Sequence, residues 1–392
     1  MERFKAAFKP APIPLQPFNV VIGRNGSGKS TLLEALQWLD ATIRRDAREA
    51  SDRYFGVRDL INLRAQAQPL YFELTLTWPA LAVSSAVRYQ VRVEDRQATP
   101  YIARENLFGL GRTGRKRKEY LVTKGDGERS LVSGMANGWG MSIREPDRLA
   151  LGLLGSAGFE RLDPALSFLE GFWARSVFLR LSPNRLAYGS LATRKSFEPL
   201  LDEEGQSLPA LLNELSEEQK EALVEAIQEI LPGIQDVDVS KAELGRDTRV
   251  NYSLLERMPY QGRSGRFQFP IPSWMLSEGT RRITAILALL AREPAPSLLC
   301  IEEIENGLDP WTVRTILRHL QSAAERGTQI ILTTHSPWVL DSVPIDSILH
   351  VRRKEGDTRY EHFASRPEIQ AYAPGVPAGT RYVSTEAEDD PQ

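Results

Sequence analysis

Gly23, Gly28, Lys29 and Ser30 stand at the spacing Gly-x-x-x-x-Gly-Lys-Ser, the Walker A pattern of a phosphate-binding loop. Glycines let such a loop fold with its backbone N–H groups pointing inward at an anion. The helix that follows presents its positive end to the same charge. Arg24, Asn25, Gly26, Ser27, Gly28, Lys29, Ser30 and Thr31 are therefore candidate nucleotide-binding residues. Lys29 is expected to reach the β- and γ-phosphates, and the Ser30 hydroxyl to bind Mg²⁺. A second element, Glu302-Glu303, follows the apolar run Leu298-Leu-Cys-Ile301. Glu302 is expected to hold Mg²⁺ directly or through water, and Glu303 to polarise or orient an attacking water. On their own, the two glutamates read equally well as a solvated acidic turn after a core strand. Ser277 and Gly279 open a third element; Ser277 reads as a helix N-cap, and the pair also as a helix start aimed at phosphate. His335 closes another apolar run, where an imidazole can donate to a phosphate oxygen.

These side chains need elements to carry them. Phe18–Ile22 reads as a buried strand and Leu32–Leu39 as the start of a helix. Ser297–Ile301 is almost wholly apolar, the pattern of a strand covered on both faces. A strand over Gln329–Leu332 leads to His335, a helix runs from Leu276–Ile283 to about Ala291, and another covers Trp311–Arg326. Strands delivering carboxylates and phosphate loops at their C-terminal ends place ligand groups along one sheet edge. Alternation at 69–78 and Val87–Val93 predicts antiparallel strands, and Gly125-Asp-Gly127 a hairpin turn. Helices are expected at 163–174, Leu208–Leu215 and Glu217–Ile230, and strands at Ser176–Leu181, Ile234–Val239 and Arg249–Leu255. Ser384 to Gln392 is polar and acidic, the composition of a frayed tail.

Composition narrows the class. The 392 residues carry a net charge of −2, with 42% hydrophobic and 26% charged residues, which is globular and excludes a generally basic nucleic-acid coat. The single cysteine, Cys300, excludes an intramolecular disulfide and a cysteine-rich zinc site. No apolar run reaches the roughly 18 residues of a membrane helix, and Met1-Glu-Arg-Phe-Lys lacks a secretory core. The expectation is a cytoplasmic protein without membrane association.

As a set, the motifs resemble the ATP-binding-cassette-type ATPases of the RecF–SMC–OLD branch, often labelled AAA-type. Phe18–Leu36 is similar to that family's strand and Walker A. Leu276-Ser-Glu-Gly279-Thr-Arg-Arg is similar to its signature segment. Ile301-Glu-Glu-Ile-Glu-Asn-Gly-Leu-Asp-Pro310 is similar to Walker B running into the D-loop, and Thr334-His335-Ser-Pro to its switch histidine. Asp202–Leu212 and Ile230–Ile234 resemble segments before the signature. Three positions depart: Glu302 replaces the commoner Asp, Ile304 stands where many relatives have Pro, and only Gln66 and Gln68 are candidates for a Q-loop.

The resemblance implies an α/β P-loop NTPase fold: an ABC-ATPase-like mixed-sheet core with an antiparallel β-subdomain and a helical or irregular insertion. It implies an ATP-binding core over 1–108 and 271–350, an insertion or arm over 109–270, and a C-terminal extension over 351–392. It implies ATP and Mg²⁺ as cofactors, Glu303 and His335 as catalytic residues, Ser30 and Glu302 at the metal, and Asp309 with Ser277 and Gly279 at nucleotide. It further implies a head-to-tail homodimer with two ATPs sandwiched between one subunit's Lys29 loop and the other's Ser277–Gly279. Three roles compete: an ATPase switch acting on DNA or with a separate effector such as a nuclease, in repair or phage (antiviral) defence; a non-hydrolysing ATP-gated scaffold restraining an effector; and a transporter's nucleotide domain. The transporter role fits worst, because its signature follows Walker A much sooner. The absence of a long coiled coil argues against an SMC role. The 57 residues after His335 are too few for a built-in nuclease. Arg112, Arg115, Lys116, Arg117 and Lys118 read first as a solvated hairpin edge whose charges block sheet-to-sheet pairing, and second as a candidate DNA contact.

Overall fold

The computed structural model describes residues 1–388 apart from 67, 80–85, 112–115, 126, 132–141, 155–163, 193–197, 245–246 and 260–266. The chain divides into two compact units. The first comprises Met1–Ile13, Gly23–Ala174 and Val351–Tyr360; the second comprises Pro14–Ile22, Arg175–His350 and Glu361–Gln392.

Six strands form one sheet: β1 (Phe18–Ile22), β2 (Ser176–Leu179), β3 (Leu298–Ile301), β4 (Gln329–Thr333), β5 (Ile348–Lys354) and β6 (Asp357–His362). Their order is β6-β5-β1-β4-β3-β2. β1 pairs in parallel with β4 and β5, and β3 with β4 and β2. β1 to β4 lie wholly in the second unit, and β5 and β6 have residues in both. β1, β2 and β3 are buried at every position, as a strand covered on both faces requires. Helices α2 (Glu278–Ala291) and α3 (Pro310–Glu325) belong to the second unit, and their apolar stripes (Ile283, Ile286 and Leu287; Val313, Ile316, Leu317 and Leu320) join the strand residues in its core. A separate antiparallel sheet there pairs Ile234–Leu244, Asp247–Arg257 and Gln268–Pro272, with Ser190–Leu191 on the middle strand.

The first unit holds α1 (Lys29–Arg44) and an antiparallel sheet running Tyr71–Trp78, Ala86–Arg96, Thr99–Leu110, Lys116–Thr123, Arg129–Leu131 and Ser142–Ile143 in sequence order. Phe72 packs edge-on against Phe4 and Trp38 with ring centres 5.1 and 4.9 Å apart. The turn at Gly125–Gly127 closes with Lys124 N–H donating to the Glu128 carbonyl, as expected; Asp126 lies outside the described residues.

The C-terminal segment departs from expectation. Ser384 to Glu388 is not frayed but continues α4 (Ala378–Glu388). Thr385 is buried, and the Glu386 carboxylate lies 3.0 Å from Nε2 of the wholly buried His350. Tyr382 adds a ring edge to the same histidine. Polar composition here reflects a helix whose inner face partners a buried imidazole, not a solvated tail. Residues 389–392 lie outside the described ones.

Candidate functional site

In the first unit, the chain leaves β1 as Gly23, where a Cβ would fall 2.1 Å from the Val351 carbonyl oxygen, so only glycine fits. Gly26 and Gly28 have φ of 73° and 107°, a region open to glycine at little cost. At Gly28 a Cβ would also sit 2.7 Å from the Thr358 hydroxyl. The Tyr360 hydroxyl donates to the Gly28 carbonyl at 2.9 Å, and burial pushes that phenol's pKa up, so it stays a donor. Lys29 is buried and its Nζ donates to the Gly23 and Arg24 carbonyls at 2.7 and 3.0 Å. Ser27 has a buried hydroxyl with no hydrogen-bond partner among the described residues. Gly28 is the N-cap of α1 and supplies no side-chain cap, whereas Ser277 and Asp309 cap α2 and α3. The uncapped N–H groups, the buried lysine and the orphaned hydroxyl fit an anionic ligand.

The second unit gathers another cluster at the ends of neighbouring strands β3 and β4, where Ile301 pairs with Leu332. Glu302 follows β3; its N–H donates to the Leu179 carbonyl and its carboxylate lies 3.9 Å from Arg180 Nε. Glu303 has a φ of 49°, strained for a non-glycine residue. Its N–H donates to the Thr333 hydroxyl at 3.0 Å. Asn306 Nδ2 donates to one of its carboxylate oxygens, and the other lies 3.7 Å from His335 Nε2. Both side chains remain about half exposed, open to a ligand. Glu305 accepts the Thr334 hydroxyl at 2.9 Å and the His335 N–H at 2.7 Å. Buried Arg282 reaches towards the Glu303 carbonyl at 3.5 Å and lies 4.0 Å from the Glu278 carboxylate. Burial pulls the Arg282 pKa down, while Glu278, Glu303 and Glu305 oppose that shift.

The structure therefore brings Glu303 and His335 together, and sets Gly279 against the D-loop, where a Cβ would meet the Gly307 carbonyl at 2.8 Å. Ser277 and Asp309 are occupied as caps: Ser277 Oγ accepts from Thr280 N–H, and Asp309 accepts from the Trp311 and Thr312 N–H groups and the Thr312 hydroxyl. Among the described residues no group of three or more His, Cys, Asp or Glu could cage a metal. The Ser30 hydroxyl and the Glu302 carboxylate are each a hard oxygen donor of the kind that suits Mg²⁺. Of the basic run, Lys116 pairs with Glu119, and Lys118 lies over the Tyr120 ring. Arg112, Arg115 and the side chain of Arg117 lie outside the described residues.

Sequence reasoning assigned no role to Glu305, Asn306, Thr333 or Arg282. The first two lie inside the Walker B segment, but their place in it does not say which side chains they meet.

The family described as "AAA domain, putative AbiEii toxin, Type IV TA system" matches residues 18–130 and 178–341. The chain belongs to this family. The expected P-loop NTPase fold of ABC type is borne out: the crystal structure of an SMC head bound to the C-winged helix domain of ScpA superposes with a TM-score of 0.54 at 14% identity, covering 92% of this chain and 94% of that one. Two energy-coupling factor transporter ATP-binding proteins EcfA2 are also similar. That of Symbiobacterium thermophilum is 36% identical over 108 residues, 26% of this chain and 36% of that protein; that of Mycoplasmopsis synoviae is 43% identical over 60 residues, 15% and 19% respectively. The chain thus spans about a third and a fifth of the lengths of these relatives. No helix among the described residues is long and apolar enough to cross a membrane.

Proposed function

We propose that the protein binds ATP with Mg²⁺ and hydrolyses it as an ABC-type switch that dimerises head to tail around the nucleotide and acts with a separately encoded effector, such as a nuclease, or with DNA. The observation that carries this reading is the loop Gly23–Thr31, an uncapped helix start with a buried lysine folded onto its own carbonyls. Phosphate replaces those carbonyls as the partner of Lys29, and the N–H groups at the start of α1 bind its oxygens. Ser30 and Glu302 would hold Mg²⁺, which when bound would neutralise charge on the phosphates. Glu303 takes the proton of the attacking water as its oxygen bonds the γ-phosphorus and the β–γ bridging P–O bond breaks to release ADP, and His335, at its side, donates to a γ-phosphate oxygen. Ser277 and Gly279 serve the nucleotide of the opposing copy, and Asp309 lies at that boundary. In this reading the ATP-binding core spans 1–108 and 271–350, with the arm at 109–270 and an extension at 351–392.

The hold of Asn306 on Glu303 favours one alternative, a slow or non-hydrolysing ATP-gated scaffold. Steady phosphate release in the presence of Mg²⁺ decides. Release lowered about 10²- to 10⁴-fold by Glu303→Gln, the usual contribution of a general base, supports the enzyme. Tight ATP binding without release supports the scaffold. The family description names a toxin system, which supports a defence-type role and makes a neighbouring effector gene the place to look for the partner. DNA contact through Lys116 and Lys118 predicts affinity that falls steeply with salt. Unchanged low-salt affinity after reversing Arg115 and Lys116 to Glu removes it.

A further inference from the structure

We infer that Glu305 is a positioning residue that holds the His335 segment in place, so that the D-loop governs whether His335 faces Glu303. The inference rests on the ATPase reading for its consequence, but its geometry stands apart from it. β4 ends at Thr333, and the last backbone tie to the sheet is the Thr334 N–H donating to the Val21 carbonyl of β1 at 3.1 Å. The side-chain anchors beyond that bond come from one carboxylate. Glu305 Oε2 accepts the hydroxyl of Thr334, itself wholly buried, and Oε1 accepts the His335 N–H. The Thr334 hydroxyl in turn accepts the Ser336 N–H at 3.0 Å, extending the hold by one residue.

The next residue, Asn306, grips the Glu303 carboxylate. Two consecutive residues thus hold the two members of the Glu303–His335 pair, one each. Their backbones are tied to the same turn: Asn306 N–H donates to the Glu303 carbonyl, and Leu308 N–H to the Glu305 carbonyl. That turn leads straight into Gly307, which lies against the Glu278 carboxylate of the signature segment. Any displacement of 305–309 pulls on both grips at once and changes the 3.7 Å spacing. A carboxylate is suited to this work because it accepts two hydrogen bonds without needing a donor in return. Glutamine keeps half of the arrangement: its carbonyl accepts the His335 N–H, and its amide donates to the Thr334 oxygen.

The test uses the full chain. Hydrogen exchange of the segment 334–340 without nucleotide is expected to speed up at least tenfold in Glu305→Ala and to stay near wild type in Glu305→Gln. Unchanged exchange in the alanine variant overturns the inference, whatever the turnover. In steady state, Glu305→Ala is expected to lower kcat about 10- to 100-fold, the scale of a misplaced catalytic group, with the KM for ATP within threefold. Glu305→Gln recovers most of it. In a His335→Ala background Glu305→Ala should cost nothing further, whereas additive losses point to a general structural role and also overturn the inference. If Glu305→Ala fails to fold, Thr334→Val removes the Thr334 grip on Glu305 together with the Ser336 bond that depends on it, leaves the His335 N–H bond, and must lower kcat in the same way. If the wild type shows no release that Glu303→Gln abolishes, the ATPase reading fails, and the exchange result alone decides the inference.

Discussion

Lys29 rests on the Gly23 and Arg24 carbonyls, so its charge is satisfied before any ligand arrives. A triphosphate must offer more than those two neutral acceptors, and it does, because charge-assisted hydrogen bonds are about twice as strong as neutral ones. Lys29→Ala is therefore expected to weaken nucleotide binding by roughly 10- to 100-fold, the equivalent of the about 1.5–3 kcal/mol a charged hydrogen bond contributes. Titration of a fluorescent ATP analogue reads this, and an unchanged affinity sinks the assignment. At this scale the loop was legible because the spacing of Gly23, Gly28, Lys29 and Ser30 is itself the chemistry. The pairing of Glu303 with His335 was legible only as motif order. The residues that fix it were not: Glu305 and Asn306 are polar groups in a turn, and sequence does not say which neighbours a turn's side chains meet. The φ of Glu303 has no sequence signal either, since positive φ is announced by glycine and this position carries glutamate.

Helices and buried strands came out close to the pattern because burial imposes a period. The apolar run at Ser297–Ile301 is β3, and the stretch from Leu276 to Ala291 contains α2. Elements without such a period were missed. The strand Thr99–Leu110 follows a turn at Gln97 and Ala98, both at positive φ without a glycine to mark them. That strand also buries Glu105 completely, where Tyr89, Arg129 and the N–H groups of Ala150 and Leu151 surround it. Burial pushes its pKa up, and a lone acid in a strand reads from sequence as solvent-facing. The cap of α3 was present in the sequence as Asp309-Pro310, but only as a family motif. Hydrogen bonds from the Thr312 hydroxyl, then from the Thr312 N–H, hold the Asp309 pKa below its ordinary value. A depressed carboxylate contributes stability above its unfolded pKa and loses it as the pH drops through the folded one. Asp309→Ala is thus expected to cost about 1 kcal/mol at neutral pH, as lost N-caps do. The gap between variant and wild type in thermal melts should narrow only in strong acid. A gap that persists unchanged there means that the charged cap is not what stabilises α3.

For the whole molecule, motif order carried the family over 18–130 and 178–341, while composition carried little beyond a net charge of −2. No effector is written in the residues, because partner surfaces have no spacing rule comparable to a phosphate loop. What the proposed function predicts is association. In the proposed switch, a second copy donates Ser277 and Gly279 to each nucleotide. An ATP bound hundredfold more tightly by the pair than by one chain shifts association by about 2.7 kcal/mol. Two such ATPs shift it by about 5.5 kcal/mol, roughly 10⁴-fold in the association constant. Hydrolysis removes the bridges, so the shift is best seen where turnover is blocked. In sedimentation velocity, Glu303→Gln with Mg²⁺ and ATP is expected to run as a dimer at concentrations where the ATP-free protein is monomeric. Adding Lys29→Ala should restore the monomer by emptying the loop, and Ser277→Arg should do so by blocking the opposing face while leaving each chain able to bind ATP. A Glu303→Gln protein that binds ATP and stays monomeric removes the dimer, and with it the switch, while leaving nucleotide binding intact.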